Sequence, residues 1–370
     1  MQIRNYWRNL ASADWVMLVT FLTLVAFGLA AIYSVELSSE ASEFLNVKKQ
    51  LVALGVGLAA FLLIASSNHK LLRNYSAVIY VAGMLLMVGV LILGIKVRGT
   101  TGWFDFGIVR FQPVEFMKVA VAVALASYFS QRARRELRWR EFFESGAIVM
   151  VPAGLTYLQP DFGSAMLMVG MWLVVIFFAG IRKRFILILV LAFTVLALLG
   201  WNFVLVDYQK ARLTTFLHPE IDPLGQGYNI TQATIAVGSG GWFGSGLGFG
   251  SQSQLKFLPE SQTDFIFAVV AEELGFFGVS LLLVAFALLF FRMYLLASKT
   301  KDDFTSFLVI AIGGLLFVQF LVNVGMNLGM MPVTGVTLPL VSYGGSSLLF
   351  TLIMLGIVES AAIRARISTT

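Results

Sequence analysis

The sequence predicts an all-α polytopic membrane protein with about ten transmembrane helices. Apolar residues fill 58% of the 370 positions, whereas only 12% are charged. Soluble domains carry about 25% charged residues, so a chain this apolar has too few to cover a surface in water. Apolar runs recur along the whole sequence, with the basic residues in short clusters between them. We therefore expect a single domain, residues 1–370, embedded in lipid.

Each apolar run is bounded by charged residues or turn formers and is a predicted span of the hydrocarbon core. The first run is longer than the core of a signal peptide and is interpreted as an uncleaved helix. The predicted spans are Asp14–Ser34, Leu51–Ser66, Tyr75–Ile95, Pro113–Ser130, Gly146–Leu158, Phe162–Gly180, Phe185–Val206, Thr263–Phe291, Thr305–Leu328 and Gly344–Ile363.

The positions of Lys and Arg predict the orientation. Ten crossings place both termini on one side, and the loops of that side hold most of the basic residues, including the Arg-rich stretch 131–140. Because Lys and Arg accumulate in cytoplasmic loops, both termini are expected in the cytoplasm. The outer loops are then residues 96–112 and 207–262. The second is a long Gly-rich loop between helices 7 and 8, for which we expect an ordered lid or a re-entrant element.

Several functions are excluded by composition. The net charge of +6 comes from loop residues of the kind that set topology, so no nucleic-acid partner is expected. The chain has no Cys, its two histidines are far apart in sequence, and there is no HExxH motif, so we expect no zinc site. The Gly-rich loop has neither a GxGxxG register nor a following Lys-Ser/Thr, which excludes a nucleotide site.

Ionisable residues gather at the predicted outer ends of the spans, which points to chemistry near the outer headgroup level. Each acidic residue also has a purely structural interpretation. Ser261-x-x-Asp264 resembles a capping box, Asp161 suits an N-cap, and Glu115 suits a first helical turn, where it can pair with Lys118. We nevertheless expect these helix starts to surround one amphipathic pocket. The outer charged residues are Asp105, Arg110, Glu115, Lys118, Asp161, Lys256, Glu260 and Asp264.

Glu272 and Glu273 are the clear acidic pair within a predicted span. An intramembrane charge is a functional hypothesis by default. A turn buried against polar groups of neighbouring helices explains the pair equally well, and both interpretations stay open at this point.

A set of strings, in order along nearly the whole chain, is specific for one family. They are FQPVEFMK (Phe111–Lys118), QPDFG (Gln159–Gly163), DYQKARL with DPLGQGY (Asp207–Tyr228), GSGG (Gly238–Gly241), QSQLKFLPESQTDFIFAVVAEELG (Gln252–Gly275) and PVTGVTLPLVSYGGSS (Pro332–Ser347). Together they resemble the SEDS family of bacterial cell-wall polymerases. The QSQLKFLPE wording is more similar to RodA-like than to FtsW-like members.

The resemblance implies a peptidoglycan glycosyltransferase that polymerises lipid II, an undecaprenyl-pyrophosphate-linked precursor, for cell elongation and shape. It implies a location in the bacterial cytoplasmic (inner) membrane, with the active site facing the periplasm or outside. The implied partner is a class B penicillin-binding transpeptidase, which crosslinks the new glycan.

The resemblance also assigns residues. The Asp of the family's TDF motif falls on Asp264, which we expect to act as the general base on the acceptor's GlcNAc 4-hydroxyl. The QPxExxK motif places its Glu and Lys on Glu115 and Lys118, and QPDFG places its Asp on Asp161. Arg110 and Lys118 are the expected pyrophosphate contacts. Further candidate substrate contacts are Gln112, Trp103, Lys256, Glu260 and Ser342.

A divalent cation, Mg²⁺ or Mn²⁺, is the expected cofactor, with Glu115, Asp161 and Asp264 as candidate ligands. The sequence departs from the family's pattern at three places. Gly102 replaces an Arg before the outer-loop Trp, Val114 replaces a Ser, and Ala233 replaces a second Ser. Phosphate contacts then fall to Arg98 or Arg110.

Two other functions fit the same features. A flippase that moves lipid-linked oligosaccharide predicts polar groups along a path through the bilayer, and Glu272-Glu273 is the main such feature. A non-catalytic scaffold for the transpeptidase predicts that substituting Asp264 is harmless. Polymer made by purified protein in detergent separates the polymerase from both.

Overall fold

A computed structural model describes residues 13–38, 44–97, 99–105, 107, 110–132, 138–180, 214–222 and 225–367, with isolated residues between 185 and 210. Its helices are α1 Trp15–Leu37, α2 Leu45–Ser66, α3 Leu71–Asn74, α4 Ser76–Leu93, α5 Pro113–Ser130, α6 Trp139–Leu158, α7 Phe162–Phe178, α8 Gln226–Ser239, α9 Ser251–Gln254, α10 Ile266–Lys299, α11 Asp303–Asn327 and α12 Gly345–Ile367. A short 3₁₀ helix covers Pro219–Ile221.

Seven of the described helices are long and apolar enough to cross a membrane: α1, α2, α4, α5, α10, α11 and α12. The fifth and sixth predicted spans correspond to α6 and to the 17-residue α7. The predicted span 185–206 lies mostly outside the described residues, as do Arg98 and part of the Arg-rich stretch. The total of ten crossings therefore stays a prediction.

The helices divide into a central and a peripheral set. In α5 and α12, 78% of the most apolar 18-residue stretch is buried inside the protein, whereas in α4 only 17% is buried. The exposed side of α4 carries large apolar side chains such as Leu85 and Ile92, which suit contact with lipid. Small residues let central helices approach closely. A side chain at Gly170 of α7 would meet Val318 of α11 at 2.7 Å.

The described residues are mainly helical, as predicted, but the outer loop 96–112 contains strands, which the all-α prediction did not include. It forms a small antiparallel sheet of β1 Ile95–Val97, β2 Thr100–Asp105 and β3 Arg110–Phe111. Ile95 pairs with Trp103, and Asp105 pairs with Arg110. The sheet connects the end of α4 to the start of α5. The sheet was not predicted because its longest strand, β2, has only six residues, and so short a segment gives little periodic signal.

The eighth predicted span, α10, is broken rather than continuous. Gly275 has φ 61° and ψ −162°, which lies outside helical geometry. Free backbone groups at membrane depth must find partners inside the protein. Here the Gly-rich segment 240–246 supplies them. Phe276 N–H donates to Gly241 O at 2.8 Å, Phe277 N–H to Trp242 O at 3.1 Å, and the Glu272 and Glu273 carbonyls accept from Ser245 and Gly246 N–H, both at 3.0 Å.

Glycine is required where this segment enters the break. A Cβ at Gly240 would lie 1.9 Å from Ala271 O, and one at Gly244 would lie 2.2 Å from Glu273 O. No side chain fits at these distances, so only glycine allows the two backbones to pair. The Gly-rich part of the outer loop 207–262 thus packs into a broken helix. The expected lid or re-entrant element stays a prediction.

Hydrogen bonds from arginine side chains hold together the end of the bundle at which α1 begins. Asp14 caps α1 and accepts hydrogen bonds from Arg292 at 2.9 and 2.5 Å. Arg366 at the end of α12 donates to Ala13 O at 2.6 Å, and Arg364 donates to Ser67 O. The start of α1 and the ends of α2, α10 and α12 therefore lie together, away from the starts of α5, α7 and α10.

Candidate functional site

Asp264 lies in a turn before α10 and not within the helix. The helix begins at Ile266, with Phe265 at the N-cap and no capping side chain of its own. The predicted capping box Ser261-x-x-Asp264 is therefore wrong. The turn is closed instead by Glu260, whose carbonyl accepts from the N–H groups of Thr263 and Asp264 at 3.0 and 3.1 Å.

A row of buried amides lies on α11, and two of its three members hold this turn; the row was not predicted from the sequence. Gln319, Asn323 and Asn327 follow one another at four-residue spacing, hence on one helix face. All three are almost fully buried. Asn323 and Asn327 both donate to the Asp264 carbonyl, at 2.9 and 3.0 Å. The signal in the sequence was three amides in register within an otherwise apolar span.

The segment after α11 brings Asp264 and the start of α7 to the same place. A side chain at Gly335 would reach the Asp264 carboxylate at 3.8 Å. A side chain at Gly163 would meet Thr334 O at 2.7 Å. Segment 334–336 therefore lies between the two, beside Asp264 on one side and α7 on the other.

Asp161 is the N-cap of α7, as predicted. Its carboxylate accepts from Ser164 N–H at 2.9 Å and from the Ser164 hydroxyl at 2.8 Å. It also receives a 3.4 Å hydrogen bond from Gln112, the residue before α5. The QPDFG and FQPVEFMK strings are thus joined through Asp161 and Gln112.

Glu115 and Lys118 form a buried ion pair, which confirms the predicted pairing. Lys118 Nζ lies 2.9 and 2.8 Å from the two Glu115 oxygens, and the side chains are 2% and 8% exposed. A lysine enclosed in this way is less accessible to the substrate's pyrophosphate than the sequence suggested. Arg110 is more available, since its side chain is 58% exposed and its partner Asp105 is 3.4 Å away.

The start of α12 closes another side of the site. The Ser346 hydroxyl donates to Arg110 O at 2.9 Å. Ser342 is buried, and its hydroxyl donates to Thr263 O at 2.6 Å while accepting from Leu338 N–H at 2.8 Å. Ser342 therefore uses its hydroxyl to fix the residue next to Asp264. Its expected contact with substrate stays a prediction.

Lys256 and Glu260 flank the site in an uncommon backbone conformation. Their φ values are 60° and 50°, and both residues are exposed. Left-handed backbone at non-glycine residues is costly and often occurs at functional positions. Glu260 also accepts from the Thr263 hydroxyl at 2.8 Å. The roles of Lys256 and of the half-buried Trp103 as substrate contacts stay predictions.

The three departures from the family's pattern lie at buried positions. Val114 is 1% exposed and Ala233 is fully buried, so a hydroxyl at either would face protein and not an open cleft. Gly102 is also buried, and a side chain there would meet Gln159 at 3.3 Å. These replacements therefore remove little from the exposed surface of the site.

The candidate cation ligands do not form a metal cage. No group of three His, Cys, Asp or Glu side chains with metal-binding geometry occurs among the described residues. Glu115 is bound to Lys118, and Asp161 to Ser164. The carboxylates in the described part of the chain therefore do not fit a resident divalent cation held by protein alone.

Glu272 and Glu273 hold the Gly-rich loop. Glu272 accepts from the N–H groups of Gln252 and Ser253 at 2.7 and 3.1 Å, which caps α9. Glu273 accepts from the hydroxyls of Ser34 and Ser253 at 2.5 and 3.2 Å. The contacts agree with the structural interpretation of this pair, a turn buried against neighbouring polar groups.

Comparisons with known proteins identify the family. The model of the FtsW/RodA/SpoVE family, described as "Cell cycle protein", matches residues 14–367. The chain belongs to this family. It is 35% identical to peptidoglycan glycosyltransferase MrdB of Escherichia coli K12 over 360 residues, covering 96% of this chain and 95% of MrdB. It is 36% identical to stage V sporulation protein E of Bacillus subtilis, covering 94% and 96%.

Solved structures of the FtsW/RodA/SpoVE family share the fold. A chain from a study of the coordination of polymerization and crosslinking by a peptidoglycan synthase complex superposes with a TM-score of 0.80, at 34% identity over 95% of this chain and 98% of that one. RodA of Thermus thermophilus gives 0.71 at 31% identity, covering 95% and 96%. The predicted SEDS resemblance is confirmed, and the chain is a multi-pass membrane protein.

Proposed function

We propose that this protein is a peptidoglycan glycosyltransferase that polymerises lipid II. The observation that carries the proposal is the similarity to MrdB, a named peptidoglycan glycosyltransferase, over almost the full length of both chains. The site geometry supports it, because the residues that the family motifs select converge at one end of the bundle.

In the proposed reaction Asp264 takes the proton of the acceptor's GlcNAc 4-hydroxyl while the oxygen attacks C1 of the donor sugar. The new C1–O bond forms as the bond from C1 to the pyrophosphate oxygen breaks. Undecaprenyl pyrophosphate leaves with the electron pair. Attack from the face opposite the leaving group inverts the configuration and gives a β-linked product.

The leaving pyrophosphate develops negative charge, which cations and N–H donors stabilise. Arg110 is the exposed cation at the edge of the site. Lys118 is more buried, and its charge is neutralised by Glu115. The pair is proposed to stabilise the leaving pyrophosphate through its position beside the site. The apolar side chains around the outer half of the helices receive the polyprenyl tail. A divalent cation brought with the substrate remains a proposal, tested by adding a chelator.

Both termini are proposed to be cytoplasmic and the site to face the outside. The contacts of Arg292, Arg364 and Arg366 place basic residues at the end of the bundle opposite Asp264, as the positive-inside rule requires of the cytoplasmic end. The proposed partner is a class B penicillin-binding transpeptidase, by analogy with the structural neighbour from a peptidoglycan synthase complex.

The test is polymerisation of lipid II by the purified protein in detergent, with and without its cognate transpeptidase. Detergent removes the two compartments that a flippase needs, so polymer supports the transferase. Absence of polymer with partner and divalent cations both present would favour the flippase. The bonds that already engage Glu272 and Glu273 are an observation against a polar path through them.

A further inference from the structure

The turn that carries Asp264 depends on groups outside its own segment. The first N–H groups of any helix lack partners within the helix. Phe265, at the N-cap of α10, offers no side-chain acceptor. A side-chain acceptor comes instead from α11, where Asn327 Oδ1 accepts from Ala268 N–H at 3.0 Å, a group that also donates to Phe265 O at 3.1 Å. Asn327 therefore ties the first turn of α10 to α11.

The Asp264 carbonyl is held by two amide donors at once. Asn323 Nδ2 donates to it at 2.9 Å and Asn327 Nδ2 at 3.0 Å. Both asparagines are fully buried, so water cannot replace either bond. Losing one partner of a buried hydrogen bond leaves a desolvated group unpaired, which is unfavourable.

Asn323 also sets the opposite wall of the site. Its second N–H donates to Val336 O at 2.8 Å, next to Gly335, which faces the Asp264 carboxylate. Asn327 braces Asn323 by donating to its backbone carbonyl at 2.8 Å. One pair of side chains thereby fixes both the backbone of Asp264 and the segment that faces its carboxylate.

We propose that Asn323 and Asn327 are positioning residues that hold Asp264 at the distance from the acceptor hydroxyl that proton transfer requires. The inference rests on the proposed function. A general base must come within about 2.6–3.2 Å of the atom that it deprotonates. A shift of about 1 Å can reduce a rate by about 100-fold. A pair that holds the Asp264 carbonyl by two hydrogen bonds and the facing segment by a third acts on kcat more than on substrate binding.

Gln319 supplies the matched control. It lies on the same face of α11, one turn before Asn323, and is equally buried. Its amide donates to Thr337 O at 3.0 Å and not to Asp264. Gln319→Ala removes a buried amide bond and creates a cavity, as the asparagine variants do, but leaves the Asp264 carbonyl paired.

The experiment measures kcat and KM for lipid II, with thermal unfolding, for Asn323→Ala, Asn327→Ala and Gln319→Ala. The asparagine variants are expected to lose about 10- to 100-fold in kcat while KM changes by less than about threefold. Gln319→Ala is expected to lose similar thermal stability and to keep kcat within about threefold.

Should an alanine variant fail to fold, Asn323→Ser keeps one donor in a smaller side chain and should give an intermediate kcat. The proposal is overturned if folded Asn323 and Asn327 variants keep the wild-type kcat, or lose no more than Gln319→Ala. A wild-type protein that makes no polymer would instead overturn the proposed function, and the two failures are thus distinct.

Discussion

At the scale of single residues, the site contains a buried ion pair whose two members depend on each other. Lys118 and Glu115 are almost completely enclosed. Removing one member of such a pair leaves an uncompensated buried charge, which costs about 3–5 kcal/mol, whereas replacing both is often tolerated. The pair is therefore expected to behave non-additively in a double-mutant cycle.

We predict that Lys118→Met lowers the thermal stability strongly and that Glu115→Gln combined with Lys118→Met recovers most of the loss. Differential scanning fluorimetry of both single variants and the double variant measures this. Arg140→Met, which removes an exposed ion pair with Glu144, is the control and should change stability little. Additive losses at Glu115 and Lys118 would contradict the expected coupling.

His69 is the residue for which the structure predicts a pH response. It is buried between α2 and α3, with its ring nitrogens 2.9 Å from the Thr305 hydroxyl and 3.3 Å from the Ser360 hydroxyl. Burial, together with the positive charge of Arg364, lowers the pKa of His69 to about 4; Asp302 opposes this and Lys70 adds to it. An unfolded histidine titrates near pH 6.5.

Between about pH 6.5 and pH 4 the unfolded chain therefore binds a proton that the folded protein excludes. Unfolding free energy should fall as the pH falls through this window. Thermal unfolding from pH 7 to pH 4 measures the slope, and His69→Gln should flatten it. His218→Gln, at an exposed histidine, is the control and should keep the wild-type slope. A slope unchanged by His69→Gln would contradict the assignment.

At the scale of elements, the broken helix α10 and the Gly-rich segment form one unit. Each supplies the backbone partners that the other lacks, and the segment can enter only because it carries glycine. Exposed aromatic side chains beside the break contact one another: Phe243 stacks on Phe277 with ring centroids 5.1 Å apart, and Trp242 lies tilted against Phe277 at 6.3 Å. The unit is continuous with the turn that carries Asp264.

We expect Gly244→Ala to destabilise the protein by more than about 1 kcal/mol, because Gly244 has φ 77° and its added Cβ would collide with Glu273 O. Gly238→Ala in α8 is the control. A side chain there meets nothing within 4 Å, and alanine favours helix over glycine. Thermal unfolding and limited proteolysis of the loop report the difference. Equal behaviour of the two variants would mean that the close approach is not required.

The sequence predicts much of this architecture at the level of elements. Nine of the predicted spans overlap described helices, and seven of those helices are long and apolar enough to cross a membrane. In lipid an apolar run must satisfy its backbone groups within itself, which favours a helix. The break at Gly275 could not be predicted, since the compensating partners lie some thirty residues away in the Gly-rich loop. The predicted capping box was wrong for the same reason, because the partner is distant in sequence. A side-chain acceptor for the first turn of α10 comes from Asn327, and local spacing carries no information on a distant partner.

The charged residues of the candidate site could be predicted from the sequence, whereas the buried polar residues that hold them in place could not. Asp161 and the Glu115–Lys118 pair were found from helix-start chemistry, which is local. Asn323 and Ser342 act through backbone atoms of other segments, and such contacts leave no pattern in the residues that receive them. An amide repeated every four residues in an apolar span is the one signal that could have found the asparagines.

At the scale of the whole molecule, the account predicts which end of the bundle faces which side. The chain contains no Cys, so single cysteines can be introduced without background. Lys256→Cys should react with a membrane-impermeant maleimide in intact cells, and Lys70→Cys only after permeabilisation. The unmodified chain is the negative control. The reverse labelling pattern would place the site on the cytoplasmic side and contradict the proposed orientation.

The proposed function depends above all on the polymerisation of lipid II with Asp264 as the base. The most direct measurement compares polymer made from purified lipid II by the wild type and by Asp264→Asn, with Asp303→Asn at the far end of α11 as the matched control. The account predicts polymer from the wild type and from Asp303→Asn, and none from a folded Asp264→Asn. Normal polymerisation by Asp264→Asn would contradict it.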